Sequence, residues 1–195
     1  MEVKTFGVIG SGQMGNGIAQ VAAASGLTVI MNDIQQEFVD KGLKTIGGIL
    51  ARNVEKGKMT SADKDALLAR IRGSVSLADM AAADIVVEAA TEKEEIKFQI
   101  FRELDRICRP EAILATNTSS IPIGRIAAQT RRPEKVIGMH FMNPVPVMKL
   151  VEIIPGLATS EEKLRSSGSW RSPSARRRPR PTTIPDSSPT ASCCP

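Results

Sequence analysis

The chain has 195 residues, of which 42% are hydrophobic and 3% aromatic, and it carries a formal net charge of +5. This length suits one domain with an additional segment, and the cysteines Cys108, Cys193 and Cys194 form neither a disulfide framework nor a metal-binding pattern. No apolar run approaches the ~18 residues of a membrane span, and the first residues lack a secretory signal, so we expect a cytoplasmic protein that binds neither a metal nor a membrane.

The basic charge is concentrated at the end of the chain. Residues 1–162 carry 19 basic and 20 acidic side chains, a net charge of −1, whereas residues 163–195 carry 7 and 1, a net charge of +6. The larger part therefore lacks the basic excess typical of nucleic-acid-binding domains, and we expect no nucleic-acid partner for it.

The first elements predict a βαβ unit. Residues 3–9 form an apolar run of strand length, residues 13–25 combine small and apolar residues as in a helix packed closely on a sheet, and residues 27–33 form a second strand. Gly26 is typical of the end of a helix. Two such strands joined by a helix lie parallel in one sheet.

The alternation of strands and helices continues along the chain. Helices are predicted at 35–56, 60–71, 93–107 and 123–129, and strands at 84–90, 112–117, 135–141 and 149–154. This order indicates an α/β fold with a doubly wound, mostly parallel sheet.

Residues 163–195 differ from the rest because serine, arginine and proline dominate and no apolar periodicity remains. Such a segment buries too little apolar surface to offset the entropy of ordering. We therefore predict one domain over 1–162 and a disordered tail over 163–195.

A glycine pattern lies between the first strand and the first helix, as Gly10-x-Gly12-x-x-Gly15, and Asp33 follows at the end of the second strand. In a Rossmann-type dinucleotide site the first glycine allows the tight turn, the second lets the backbone approach a pyrophosphate and the third lets helix and strand pack closely. The free N–H groups of the helix N-terminus bind the phosphates.

Asp33 would accept hydrogen bonds from the adenosine ribose and repel a 2′-phosphate, which favours NAD over NADP. The alternative is a glycine-rich turn with an incidental aspartate. The turn residues predicted to contact the cofactor are Gly10, Ser11, Gly12, Gln13, Met14 and Gly15.

His140 is the only histidine of the chain and lies near the end of the predicted strand 135–141. A lone histidine is often a packed core residue, but ligands of open α/β sheets bind at the carboxyl ends of strands. An imidazole there is suited to proton transfer, because its ordinary pKa lies near neutrality. Pro144 and Pro146 favour a chain turn after this strand.

Four stretches carry a resemblance to a known family: "GVIGSGQMGNGIAQVAA", "VVEAATE", "ATNTSSIPI" and "GMHFMNPVPVMKLVEII". The chain resembles the N-terminal, NAD-binding domain of the L-3-hydroxyacyl-CoA dehydrogenases, and is most similar to the bacterial 3-hydroxybutyryl-CoA dehydrogenases. The resemblance covers residues 1 to about 162.

The resemblance implies oxidation of the 3-hydroxyl group of an acyl-CoA to a ketone, with hydride transfer to NAD. It places the catalytic base at His140, the carboxylate paired with this base at Glu152, and the residue that binds the substrate oxygen at Ser119. It places further cofactor contacts at Glu92, Lys97, Ser119 and Asn143. A position near the CoA moiety falls on Lys56.

Members of the family continue with a segment of the type "VNDxPGFVxNR" and a helical domain that closes over the acyl chain and forms a homodimer. We expect the helical domain to be absent here, and we interpret 163–195 as a segment read out of frame. Reading the gene in the other two frames past Glu162 tests this, and the interpretation is wrong if neither frame carries a "VNDxPGF"-like continuation. A chain truncated in this way would bind NAD but lose much of its substrate positioning.

Three alternatives remain at this stage. In the first alternative, the domain is an NAD-binding module without turnover. In the second, it is another NAD-dependent enzyme of the same fold, such as a 6-phosphogluconate-type dehydrogenase, but such an enzyme would not carry "HFMNPVPVMKLVE". In the third, "RRRPRP" binds nucleic acid or an acidic partner, and binding would then weaken steeply with salt.

Overall fold

The computed structural model describes residues 2–148, 150–156 and 158–159, together with the backbone of 175–177. The strands are β1 (Thr5–Ile9), β2 (Thr28–Asn32), β3 (Ile71–Ser74), β4 (Ile85–Glu88), β5 (Ile113–Thr116), β6 (Val136–Phe141), β7 (Val151–Pro155) and β8 (Ala175–Arg177). The α-helices are α1 (Gln13–Ala24), α2 (Gln36–Glu55), α3 (Ser61–Leu68), α4 (Glu94–Ile107) and α5 (Ile123–Ala127), and short 3-10 helices span Leu77–Ala82 and Pro133–Lys135.

The strands form one sheet in the order β3-β2-β1-β4-β5-β6-β7-β8. All neighbouring pairs are parallel except β6 and β7, which are antiparallel. The direction in which the chain adds strands reverses between β1 and β4, and ligands of such sheets bind outside the carboxyl ends of the strands at this reversal. The predicted α/β fold with a mostly parallel, doubly wound sheet is confirmed.

Two apolar cores cover the two faces of the sheet. In β4, Ile85 and Val87 belong to one core while Val86 belongs to the other. Helices α1 and α2 pack on the first core through residues such as Ile18 and Ile46, and α4 packs on the second. Successive residues of a strand point to opposite faces, so a strand covered on both sides is apolar throughout, as the short apolar runs of the sequence predict.

Local signals set several of the boundaries. Thr60 begins α3 through a capping box, in which its hydroxyl accepts a hydrogen bond from the Asp63 N–H while the Asp63 carboxylate accepts one from the Thr60 N–H. This pairing satisfies two N–H groups that a helix start otherwise leaves open. Gly26 follows the end of α1 with a φ of +90°.

The strand β3 was not predicted, because Ile71 was assigned to the end of the helix 60–71. Helix α3 ends at Leu68, and Ile71–Ser74 continues as a strand beside β2. Of its four residues only Ile71 and Ser74 are buried. Four residues are too few to show a clear alternation of apolar and polar side chains.

The predicted disorder of 163–195 falls almost entirely outside the described residues. The exception is β8, whose backbone at Ala175–Arg177 pairs in parallel with β7. None of the helices in the described part of the chain has the length and apolar content that a membrane span needs.

Candidate functional site

The glycine turn connects β1 to α1 at the carboxyl end of the sheet. Gly10 has a φ of +95°, a conformation that favours glycine, and its N–H donates to the Asn32 carbonyl oxygen over 2.8 Å. A Cβ atom on Gly15 would lie 1.7 Å from the Gly10 carbonyl oxygen, so helix and turn are in direct backbone contact. A Cβ atom on Gly12 would meet nothing within 4 Å, which leaves the start of α1 open to a ligand.

A cavity of about 260 Å³ opens beside this turn. Its lining residues are Ser11, Gly12, Gln13, Asn16, Asp33, Phe38, Lys41, Gly42 and Thr45. The Asp33 carboxylate is held at its wall, because Oδ2 accepts the Ser11 N–H over 2.7 Å and Oδ1 accepts the Ile34 N–H over 2.8 Å. The Ser11 hydroxyl also lies 2.7 Å from Asp33 Oδ2.

The loop after β6 packs on the glycine turn and α1. Gln13 Nε2 donates to Asn143 Oδ1 over 3.3 Å, and a Cβ atom on Gly17 would lie 2.8 Å from the Val145 side chain. Met14 packs partly buried against the first core. The loop that follows β6 therefore lies beside the cavity residue Gln13.

The end of β6 carries the histidine. His140 lies directly opposite Glu152 in the antiparallel register of β6 and β7, and its Nδ1 is 3.1 Å from Glu152 Oε2. The two side chains are 26% and 13% exposed, so the pair is mostly shielded from water while one side of the imidazole remains accessible. An ionised carboxylate accepts hydrogen bonds only, so the neutral imidazole that fits this contact has its proton on Nδ1 and its lone pair on Nε2.

A buried charged cluster lies at the ends of β4 and β5. The Lys97 ammonium group donates to both carboxylate oxygens of Glu88 over 2.8 and 2.9 Å, and the side chains of Lys97 and Glu88 are 1% and 0% exposed. Glu88 Oε2 also accepts from the Thr116 hydroxyl and Oε1 from the Ala90 N–H, each over 2.8 Å. Each oxygen of this carboxylate thus accepts two hydrogen bonds, which offsets the cost of burying a charge.

Lys97 illustrates where the sequence pattern misleads. The apolar spacing of α4 favours a buried stripe through Ile96 and Leu104. Leu104 is buried, but Ile96 is 37% exposed, and α4 buries Lys97 and Phe101 beside Leu104. Lys97 is therefore a buried residue and not a surface lysine. Glu88 was not among the predicted site residues, although a charged residue that ends an apolar strand is a signal that could have identified it.

The other predicted site residues occupy different surroundings. Glu92 Oε2 accepts from the Thr118 hydroxyl over 2.6 Å and from the Ser120 hydroxyl over 3.2 Å, and Glu92 Oε1 is 3.8 Å from the Lys97 ammonium nitrogen. Ser119 lies exposed between these two hydroxyl-bearing residues. Lys56 is exposed just after α2, outside the cavity lining and the histidine pair.

Cys108 is the free cysteine that the structure describes. Burial raises the pKa of the Cys108 thiol to about 11, with smaller opposing contributions from the Arg132 and Arg109 guanidinium groups. A thiol with this pKa stays protonated near neutral pH and is therefore not a nucleophile of the site.

The reversal of strand order, the glycine turn and the acid at the end of β2 define an α/β dinucleotide-binding domain, here with a histidine–carboxylate pair beside the dinucleotide site. The model of the family described as "3-hydroxyacyl-CoA dehydrogenase, NAD binding domain" matches residues 5–171. The chain belongs to this family of NAD-binding domains, as its sequence motifs predicted.

Individual relatives agree with this assignment. The chain is 56% identical over 162 residues to a "Probable 3-hydroxybutyryl-CoA dehydrogenase" of Bacillus subtilis, covering 83% of this chain and 56% of the relative. It is 52% identical over 165 residues to the 3-hydroxybutyryl-CoA dehydrogenase of Bradyrhizobium diazoefficiens, covering 85% and 56%. The crystal structure of (S)-3-hydroxybutyryl-CoA dehydrogenase from Ralstonia eutropha superposes with a TM-score of 0.86 at 46% identity, covering 90% of this chain and 63% of that one.

The chain thus spans about half the length of the curated relatives that it matches. The comparisons extend over the glycine turn and the His140 strand, which supports a common cofactor for this domain.

Proposed function

We propose that this chain binds NAD and supplies the catalytic base of a 3-hydroxyacyl-CoA dehydrogenase, with 3-hydroxybutyryl-CoA as the substrate. The observation that carries the proposal is the 3.1 Å pair of His140 Nδ1 and Glu152 Oε2, positioned at the carboxyl edge of a sheet with a dinucleotide turn. The names of the relatives support the acyl-CoA substrate.

The residues around the cavity fit NAD. The open surface at Gly12 and the N-terminal N–H groups of α1 suit the pyrophosphate, since they combine close backbone approach with a positive dipole end. Asp33 lines the same cavity and suits the ribose hydroxyls, and its negative charge disfavours a 2′-phosphate. Glu92, Lys97, Ser119 and Asn143 are proposed as further cofactor contacts.

NAD, when bound, accepts the hydride that leaves carbon 3 of the substrate. The hydroxyl proton must leave as well, and the lone pair of His140 Nε2 accepts it, so that a ketone forms. Glu152 holds the opposite ring nitrogen, which orients the imidazole and stabilises the positive charge that it gains. In the reverse direction the same nitrogen returns the proton to the ketone oxygen.

Substrate placement is assigned to exposed residues. Ser119, on the loop after β5, is proposed to donate a hydrogen bond to the substrate oxygen. The positively charged Lys56 is proposed to contact the CoA moiety. A cytoplasmic location is proposed from the same family membership.

The proposal is tested by following NADH oxidation by the purified chain with acetoacetyl-CoA, alongside the variant His140→Asn. We expect turnover that falls by roughly 10²–10⁴-fold in the variant, as for loss of a general base. NADH binding, measured by fluorescence titration, should be the same in both chains, because His140 is not part of the cavity beside the turn.

Turnover that survives the substitution would contradict the proposed base. NADH binding without turnover in either chain would instead favour an NAD-binding module, which is the second candidate function. Absence of NADH binding would overturn the cofactor proposal itself.

A further inference from the structure

Asn117 occupies the gap between two strands at the level of the histidine. The backbone ladder between β5 and β6 ends with Thr116 opposite Gly138, whereas β6 continues through Met139 and His140 to Phe141. On its other side β6 remains paired with β7 as far as Phe141 and Val151. The catalytic end of β6 is therefore paired by backbone register with β7 alone.

The side chain of Asn117 continues the connection where this ladder ends. Its Oδ1 accepts the Phe141 N–H over 2.9 Å, and its own backbone N–H donates to the Glu88 carbonyl oxygen over 2.8 Å. One residue thus connects the ends of β4, β5 and β6. Its side chain is only partly buried, so packing alone does not account for the contact.

The bonded N–H belongs to the peptide group that joins His140 to Phe141. Fixing this peptide plane restricts the backbone dihedral ψ of His140, and with it the direction of the His140 Cα–Cβ bond. The imidazole then faces Glu152 on the neighbouring strand β7 at hydrogen-bonding distance. A small backbone rotation would move the imidazole away from Glu152. The contact would then weaken, because hydrogen bonds depend steeply on distance and angle.

We propose that Asn117 is a positioning residue that holds the end of β6 so that His140 Nδ1 stays hydrogen-bonded to Glu152. The inference rests on the proposed role of His140 as the base, but it concerns the orientation of the imidazole and is measured without turnover. Asn117 does not act on the substrate or on the cofactor in this proposal.

The single histidine makes the test direct, since one set of imidazole nitrogen resonances reports His140 without assignment ambiguity. NMR of the uniformly labelled full chain measures the proton and nitrogen shifts of Nδ1 and Nε2 and the exchange rate of the Phe141 amide. In Asn117→Ala we expect loss of the downfield Nδ1–H signal and a mixed tautomer pattern. Phe141 amide exchange should accelerate by roughly tenfold, as for the loss of one hydrogen bond.

Two variants separate positioning from a general loss of stability. Asn117→Asp keeps an acceptor oxygen at the same distance from the backbone and should retain the Nδ1–H signal. Asn32→Ala removes a side-chain bond of the same kind, from Asn32 Nδ2 to the Ser74 carbonyl oxygen between β2 and β3. It should leave the His140 spectrum unchanged.

An unchanged imidazole spectrum in folded Asn117→Ala would overturn the proposal, and so would an equal change in Asn32→Ala. If Asn117→Ala does not fold, Asn117→Ser takes its place, because its hydroxyl is one bond shorter than the amide oxygen and no longer reaches the Phe141 N–H. These outcomes are independent of the dehydrogenase assay, so a chain without turnover still decides the role of Asn117.

Discussion

The tightest contact of the glycine turn joins main-chain atoms that are close in sequence, whereas the ends of β4, β5 and β6 are joined by side chains that lie far apart in sequence. Gly10 and Gly15 meet backbone to backbone across five residues. The cluster at the second region joins Glu88 to Thr116, 28 residues away, and His140 to Glu152, 12 residues away.

This difference determines how a substitution destabilises each region. The turn tolerates no additional atom at Gly15, but it contains no buried charge that would lose its partner. In the second region, removing one member of the buried ion pair leaves the charge of the other uncompensated. Substitutions in the glycine turn and in the buried charged contacts should therefore have different effects on stability.

The largest effect is expected for Lys97→Met. Glu88 would remain buried without the ammonium group that binds both of its oxygens, so we expect a loss of about 3–5 kcal/mol in the free energy of unfolding. Urea denaturation measures it. The double variant Lys97→Met/Glu88→Gln should recover part of the loss, because it removes the unpaired charge.

A matched control for this prediction is Lys4→Met. Lys4 pairs with Glu2 over 3.5 Å, but the two side chains are 75% and 77% exposed. Pairs of this kind contribute little, so the expected change is below about 1 kcal/mol. Equal losses in the two methionine variants would show that the buried pair has no special role.

Gly15→Ala tests the region built from main-chain contacts. Its Cβ atom would lie 1.7 Å from the Gly10 carbonyl oxygen, and the turn must shift to admit it. We expect a destabilisation of about 3 kcal/mol, together with a large loss of NADH binding in fluorescence titration.

Gly12→Ala is the control, because its Cβ atom would meet nothing within 4 Å. We expect it to fold with nearly unchanged stability while NADH binding weakens, since the open surface at Gly12 is the one proposed for the pyrophosphate. If Gly12→Ala and Gly15→Ala lose the same stability, the turn is not held by the contact at Gly15.

Asp105→Asn tests another charged contact between side chains that lie far apart in sequence, at the opposite end of β6. Asp105 accepts hydrogen bonds from Arg131 Nε over 2.9 Å and from Arg132 Nε over 2.8 Å. Burial alone raises the pKa of Asp105, but the hydrogen bonds from Arg131 and Arg132 and the charge of Arg132 outweigh it and hold the pKa below its ordinary value of 3.8. We expect the variant to lose about 2 kcal/mol near neutral pH, as for hydrogen bonds to a charged group.

The sign of the pH dependence follows from this lowered pKa. The ionised form of Asp105 stabilises the fold at pH values above the unfolded-state pKa, and the stabilisation disappears as the pH falls through the lower folded-state pKa. The stability difference between the wild-type chain and Asp105→Asn should therefore shrink in acid. A difference that stays constant below pH 3.8 would contradict the assignment.

The smallest effect is expected for Gly48→Ala, at a glycine that belongs to neither region. Gly48 lies inside α2, and an added Cβ atom would meet nothing within 4 Å. Alanine in a helix interior is favoured over glycine, so thermal unfolding should show a gain of about 0.5–1 kcal/mol. A loss instead would mean that α2 needs glycine at this position.

Local signals were sufficient for most of the fold and for the cofactor turn. The alternation of apolar strands and helices predicted the doubly wound sheet, and the spacing of Gly10, Gly12 and Gly15 predicted the turn, because both patterns are complete within a few residues. The short strand β3 escaped prediction since its four residues carry no clear period.

The partners of the charged side chains could not be predicted in the same way. Nothing near Lys97 in sequence indicates that Glu88 accepts its charge, and the apolar spacing of α4 suggests another buried face. The role of Asn117 is likewise visible only when β5 and β6 lie side by side.

The sequence by itself determined the class of fold, the dinucleotide turn with Asp33 and the candidate base His140, because backbone conformation and hydrophobic periodicity are local properties. Only the tertiary structure decided the register and distance of the expected His140–Glu152 pair, that Lys97 is buried and that Asn117 bridges two strands. Those contacts depend on strand order and register, which arise from packing the whole sheet between its two layers of helices.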